Sequence, residues 1–326
     1  MRADPVFPRA PAADGMYESF YLRTVSPTEP LGVWIRHTVH KRPGEPPRGA
    51  IWCTVFDAAA GRPFMHKVSS AEVRRPPEGW IEVGAQAKMG PRRARGDCGP
   101  ARWSLGFEAQ APELRHLSPG VLYRTPLPRT KLTSPAPLAR FDGVVEIPGR
   151  SPIEVSGWHG MIGHNWGAEH AARWIWLHGC DFAGAPEAWL DVALGRVQLG
   201  SRLSPWLASG MLSLDGAARR VGGLAAGRPV VAAGPDGGEL VLRGPGGLEL
   251  AVGIELPADT AAGWRYADPG GAEHDVVNCS IAALEASVGR RGRGGRRVLR
   301  SAHGGAYELG GPPGATGVPI APFEDS

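Results

Sequence analysis

No stretch of the chain approaches the roughly 20 apolar residues that a membrane-crossing helix needs, so a helical membrane protein is not expected. Cysteine is scarce. The four residues Cys53, Cys98, Cys180 and Cys279 lie too far apart in sequence for a zinc knuckle or a redox pair. Residues 1–14 are rich in proline and alanine and lack the apolar core of a secretion signal. The expectation is therefore a cytoplasmic protein with reduced thiols. Charge of one sign is also lacking: 36 Lys+Arg against 32 Asp+Glu leave a net charge of +4, too small an excess to point to nucleic acid as a partner. No window of 12 or more residues carries a helical apolar stripe with caps. There is no Gly-x-Ser-x-Gly elbow, and His303-Gly304-Gly305 lacks the lysine and following helix of a phosphate loop.

Glycine and proline are abundant instead. Together they number 79 of 326, a share at which disorder must be considered, but 42% of residues are hydrophobic and 11 are Trp. A chain so rich in large apolar groups folds, with Gly and Pro punctuating short elements. Those elements read as strands. Met16–Val25, Gly32–His40, Ala50–Phe56, Arg102–Phe107, Arg140–Ile147, Arg173–Cys180, Ala188–Val197 and Leu248–Glu255 are short, rich in Trp, Val, Ile, Phe or Tyr, and bounded by turn residues. Many strands at 8–12-residue spacing predict antiparallel barrels or sandwiches, and the length predicts two units at about 150 residues each. The expected division is a first barrel over 16–150 and a second over 151–309. Loose segments, disordered or wrapped along the surface, are expected at 1–15 and 310–326. The six prolines of Pro112–Pro137 predict an irregular surface connector.

Residues Gly157–Asp191 stand out, holding five of the 11 Trp and four of the 10 His. Gly163-His164-Asn165-Trp166-Gly167 is followed some 25 residues later by Trp189-Leu190-Asp191. In extended chain His164 and Trp166 share a face, as do Trp189 and Asp191, and Trp174, Trp176, His178 and Cys180. If these strands are neighbours, His, Trp and Asp converge in one lumen. A carboxyl against indole walls would be desolvated and its pKa raised. Such an acid can protonate a carbon–carbon double bond, and indole faces stabilise the cation formed.

The His-x-Trp of Gly163–Gly167 followed by an aromatic-x-Asp strand resembles the carotenoid 1,2-hydratase family, whose relatives include lipocalin-like tocopherol cyclases and fungal cyclases. The resemblance implies an all-β fold of two side-by-side antiparallel lipocalin-like β-barrels. It implies Asp191 as proton donor, with His164 orienting the acid or a water. Trp166, Trp189, Trp174, Trp176 and His178 would form the substrate walls. Trp189 stands where that family has Tyr, which removes a hydroxyl. The implied activity is cofactor-free hydration, cyclisation or isomerisation of an apolar isoprenoid or polyketide-like small molecule.

Plainer readings stand beside this one. Asp191 could be ion-paired with Arg173 or Arg196, and His164 could be a hydrogen-bonded core residue. Tyr17, Glu18 and Trp34 lie on early strands that could line the first barrel. Glu169 and His170 are expected on an exposed turn. His159, His164, His170 and His178 with Glu169 and Asp181 lack close metal-ligand spacing, so no metal is expected. A lipid carrier would use the same cavity without a proton donor; a paired, ionised Asp191 would favour it. A scaffold would have no cavity at all. Transient contact with a membrane that holds the ligand stays open, as does the oligomeric state.

Overall fold

The computed structural model describes residues 1, 3–223, 225–292 and 294–323. It is almost wholly antiparallel β. Chain order gives β1 (Met16–Val25), β2 (Leu31–Lys41), β3 (Arg48–Asp57), β4 (Phe64–Ser70), β5 (Val73–Arg74), β6 (Ile81–Val83), β7 (Ala87–Met89), β8 (Arg93–Cys98), β9 (Ala101–Ala109), β10 (Leu114–Arg115), β11 (Thr130–Glu146) and β12 (Ile153–Gly167). These 12 strands form one sheet, in which β1 lies between β2 and β12. The sheet curls until β3 and β4 approach β6 and β8, making a nearly closed barrel.

The remaining strands are β13 (Arg173–Gly179), β14 (Trp189–Arg196), β15 (Gln198–Leu199), β16 (Arg202–Leu203), β17 (Leu207–Leu214), β18 (Ala217–Gly222), β19 (Val230–Gly234), β20 (Gly237–Arg243), β21 (Leu248–Glu255), β22 (Ala262–Ala267), β23 (Glu273–Arg290) and β24 (Arg297–Gly311). All but the β15–β16 hairpin join a second curled sheet of 10 strands, with β13 between β14 and β24. Among the described residues no helix is long and apolar enough to cross a membrane.

Side-chain alternation sorts each strand into two faces. Phe20, Leu22, Ile35, Ile51, Phe141 and Ile162 fill the first barrel. Ile175, Leu177, Leu190, Val192, Leu250 and Val277 belong to the second core. The opposite faces of β1, β12, β13 and β24 meet between the barrels, where Tyr21 and Met161 pack on Trp176 and Ala306. Two glycines make room for rings in this seam. A Cβ on Gly163 would fall 2.0 Å from the Tyr21 ring, and one on Gly310 would fall 2.1 Å from the indole of Trp174.

The chain changes sheets between Gly167 and Arg173, later than residue 150. The long strand β12 pairs with both β1 and β11, so it belongs to the first sheet. Nor are the ends loose where they are described. The backbone N–H groups of Val6 and Phe7 donate to the Glu18 carboxylate at 2.9 and 2.7 Å, and Phe7 is buried. At the other end, Ala321 N–H donates to Gly263 O at 2.9 Å and Phe323 stacks on Trp264, with centroids 5.6 Å apart. Residues 324–326 of the expected tail lie outside the described residues.

His37, on the inner face of β2, is fully buried with neither ring nitrogen hydrogen-bonded. Burial pushes its pKa down to about 3. The ring is neutral in the fold but takes a proton in the unfolded chain below about pH 6.5. Its contribution is therefore intact above that pH and lost as pH falls toward 3. At pH 5 this one group is expected to cost about 2 kcal/mol, at about 1.4 kcal/mol per pH unit. Urea unfolding at pH 7 and pH 5 should show a smaller loss in His37→Phe than in the wild type. Equal losses would refute the assignment.

Candidate active site in the seam between the barrels

The faces that meet in the seam are polar and aromatic, and long hydrogen bonds in sequence terms hold them together. Arg23 projects from β1 and is fully buried. Its Nη2 donates to Ser280 O at 2.7 Å. Its Nη1 donates to Gly304 O at 3.0 Å and to His178 Nδ1 at 2.9 Å. The acceptors are available because of irregular pairing. The β23–β24 register shifts between Cys279 and Leu284, which frees the Ser280 carbonyl from the ladder. Since His178 Nδ1 accepts from Arg23, Nε2 carries the proton and donates to Pro137 O at 2.8 Å. Burial, and then the nearby Arg23 charge, lower the His178 pKa to about 4, so the ring is neutral at pH 7.

Pro135 and Pro137 explain the other half of this contact. Neither can donate to a ladder, and β11 pairs with β12 through register shifts on either side of Ala136. The bulged segment turns Ser134 and the Pro137 carbonyl into the seam. Ser134 Oγ donates to Asp191 Oδ2 at 2.5 Å. Trp176 Nε1 donates to Asp191 Oδ1 at 3.0 Å. His116 Nε2 lies 3.3 Å from Ser134 Oγ and 3.5 Å from Asp191 Oδ2, while its Nδ1 faces Ser209 O at 3.2 Å. Asp191 is completely buried. Burial alone would raise its pKa; the His116 charge and hydrogen bond, then His178 and the Ser134 hydroxyl, outweigh burial and hold the pKa below the usual carboxylate value. Asp191 is thus an ionised carboxylate, opposite in state to the neutral acid expected from indole walls. Its partner is His116 rather than Arg173 or Arg196.

The other expected site residues divide among three places. Trp174, Trp176 and His178 do lie on the face shared with Asp191, and His178 is directly across the ladder from it. Trp174 Nε1 donates to Glu308 Oε1 at 2.8 Å, and Tyr266 OH donates to Glu308 Oε2 at 3.1 Å. Trp189 is buried in the second core. His164 and Trp166 share a face, with ring centroids 4.5 Å apart, but it is the inner face of the first barrel. There His164 stacks on Phe20 at 4.4 Å and pairs with Glu18 at 2.7 Å. His164 and Asp191 therefore belong to separate clusters, because β12, from Trp158 onward, turns its even-numbered residues inward and its odd-numbered ones to the seam. Tyr17 and Trp34 face the seam, and Glu18 the first barrel.

One end of the seam holds a small cavity of about 30 Å3, lined by Tyr17, Glu18, Arg36, Trp52 and Tyr266 among others. That is room for one or two waters. Arg36 is 5% exposed, and its guanidinium lies 4.0 Å from the Tyr266 ring centroid. Asp191 does not line this cavity. Next to it His170 stacks on Tyr17 at 4.0 Å. Its side chain is only 9% exposed, so the expected exposed turn is wrong for His170; Glu169, 46% exposed, does fit it. Asp268 accepts from His170 Nδ1 at 2.6 Å and from His274 Nε2 at 3.0 Å. Burial opposes ionisation of Asp268, but the hydrogen bonds from the two rings outweigh it and hold its pKa far below the usual range.

Sequence reasoning missed His116, Ser134, Arg23, Glu308, Asp268 and His274. The only signal for the first two was the proline-rich segment Pro112–Pro137 itself, since Pro within a strand marks a bulge.

No family model matches the sequence. An uncharacterized protein of Mycobacterium tuberculosis, in strains CDC 1551/Oshkosh and H37Rv, is 26% identical over 287 residues, which covers 87% of this chain and 84% of that protein. Among solved structures, CghA in complex with Sch210972 superposes with a TM-score of 0.61 at 13% identity, covering 91% of this chain and 88% of CghA. Kievitone hydratase from Nectria haematococca superposes with a TM-score of 0.59 at 10% identity, covering 94% of this chain and 92% of the hydratase. At such identities the likeness establishes the fold, and the chain shares the two-barrel architecture of these proteins.

Arg23→Met removes the donor for Ser280 O, Gly304 O and His178 Nδ1 together. The expected loss of stability is about 3 kcal/mol or more, from the unsatisfied acceptors. Urea unfolding checks it, with exposed Arg300→Met as the comparison. A loss below about 1 kcal/mol would show that the seam does not depend on this residue.

Proposed function

We propose that the protein catalyses acid–base chemistry, namely hydration, cyclisation or isomerisation, on an apolar isoprenoid- or polyketide-like small molecule held between the two barrels. Asp191 and His116 act as one unit in this reading. The observation that carries it is the buried Asp191–Ser134–His116 relay beside the rings of Trp176 and Tyr21. A carboxylate and an imidazole joined through a hydroxyl share one proton. Transfer through the Ser134 hydroxyl from His116 Nε2 to Asp191 Oδ2 yields a neutral acid and a neutral ring, with no net charge created. Such a neutral acid is the donor that protonates a double bond, and in this reading the nearby Trp176 and Tyr21 rings stabilise the cation. The role expected of His164 passes to His116.

Support also comes from the fold shared with kievitone hydratase and CghA, and from the resemblance of the Trp189-Leu190-Asp191 strand to the aromatic-x-Asp strand of the carotenoid 1,2-hydratase family. In the present arrangement Asp191 is sealed, so a substrate reaches it only when the barrels part along Tyr21 and Trp176. A second reading, a non-catalytic lipid carrier, is favoured by one observation: Asp191 is paired and ionised.

Native mass spectrometry with organic extraction of the protein from its own host would identify the ligand class. Turnover of that ligand then separates the readings. Asp191→Asn and His116→Gln should each lower kcat by about 100-fold or more while ligand binding persists, in line with the 10²–10⁴-fold typical of general acid–base catalysis. Full turnover in Asp191→Asn would refute the acid assignment. Binding with no turnover in the wild type would establish the carrier.

A further inference from the structure

The cluster of His170, Asp268 and His274 lies outside the Asp191 relay and does different work. The three residues come from three places: the crossover after β12, the turn after β22, and the start of β23. One nitrogen of each ring and a carboxylate oxygen all lie within 4.8 Å of one another. All three side chains are more than nine-tenths buried. Asp268 receives three hydrogen bonds, from the His170 backbone N–H at 2.7 Å, from His170 Nδ1 and from His274 Nε2. These bonds use only half of what the rings offer. His170 Nε2 and His274 Nδ1 are both buried with no partner. Two buried imidazole nitrogens left idle beside one carboxylate are not what a purely structural hydrogen-bond cluster requires.

We propose that His170, Asp268 and His274 form a binding site for a divalent first-row transition-metal ion. Two imidazoles and one carboxylate are a donor set for zinc, iron(II), cobalt(II) or manganese(II). Calcium and magnesium are disfavoured, because they take oxygen ligands almost alone. One nitrogen of each ring and one carboxylate oxygen supply three ligand atoms within 4.8 Å of one another. A metal held there would pin the crossover at residues 168–172 to the second sheet, at the end of the seam where Tyr17 and Trp174 flank His170. The inference does not rest on proton chemistry at Asp191. Of the six side chains whose spacing argued against a metal in the sequence, only His170 belongs to this cluster. His159 pairs with Asp181 instead, at 2.5 Å.

The test is titration of Zn²⁺ into metal-stripped protein by calorimetry, together with the visible absorption of the Co²⁺ form. The expected result is one ion per chain and a Co²⁺ spectrum of nitrogen and oxygen ligation. Asp268→Asn and His274→Gln should each weaken binding by about 10-fold to 100-fold or more. His159→Gln, which breaks a separate His–Asp pair, should leave it unchanged. Near-ultraviolet circular dichroism identifies any variant that does not fold, and the wild-type Co²⁺ spectrum stands without a variant. Absence of saturable uptake by the wild type would overturn the proposal. So would uptake that survives in folded His274→Gln, or that falls equally in His159→Gln.

Discussion

Everything in this molecule depends on how two sheets face each other through a buried polar layer. Key groups that one sheet buries find their partners on the other. Arg23 shows the constraint at its sharpest, a buried guanidinium from the first sheet that reaches two carbonyls and an imidazole of the second. His178 then continues the chain to Pro137, back in the first sheet. A half-satisfied layer of this kind would be worse than an apolar one. The bulges in β11 and at the β23–β24 pairing are therefore part of the design, because they release the carbonyls that the layer consumes.

The same constraint determines the state of Asp191. A carboxylate alone in this layer would take up a proton, and the indole of Trp176 would not prevent it. With His116 across the Ser134 hydroxyl, ionisation becomes the favoured state. The pair is costly to desolvate, and apolar residues of similar size would pack a purely structural seam as well. Its presence among aromatic rings is the physical reason to look for chemistry there rather than in either barrel interior.

Much of the architecture was legible in the sequence. The alternation of Trp174, Trp176 and His178 against Ile175 and Leu177 correctly separated the two faces of β13, and that of Leu190, Val192 and Leu194 against Asp191 did the same for β14. What alternation does not say is which face looks into a barrel and which looks at the neighbouring sheet. Asp191 was expected in a lumen for that reason. The break between sheets was expected too early because β12 is a long strand whose ladder partners, β1 and β11, cannot be read from composition. The partners His116 and Ser134 lie 75 and 57 residues from Asp191 in the numbering, inside a segment whose prolines read as loop. No local pattern carries contacts of that range. His164 and Trp166 were correctly placed side by side, but on the other face of β12 from the relay.

The central claim is that Asp191 is an ionised carboxylate, held so by Ser134 and His116 beside it. Infrared difference spectroscopy between the wild type and Asp191→Asn at neutral pH addresses it directly. The account predicts that the substitution removes a carboxylate band and that the same band disappears from the wild type when His116→Gln is introduced. Loss of a protonated-carboxyl band instead would contradict it, and would return Asp191 to the role of an isolated neutral acid.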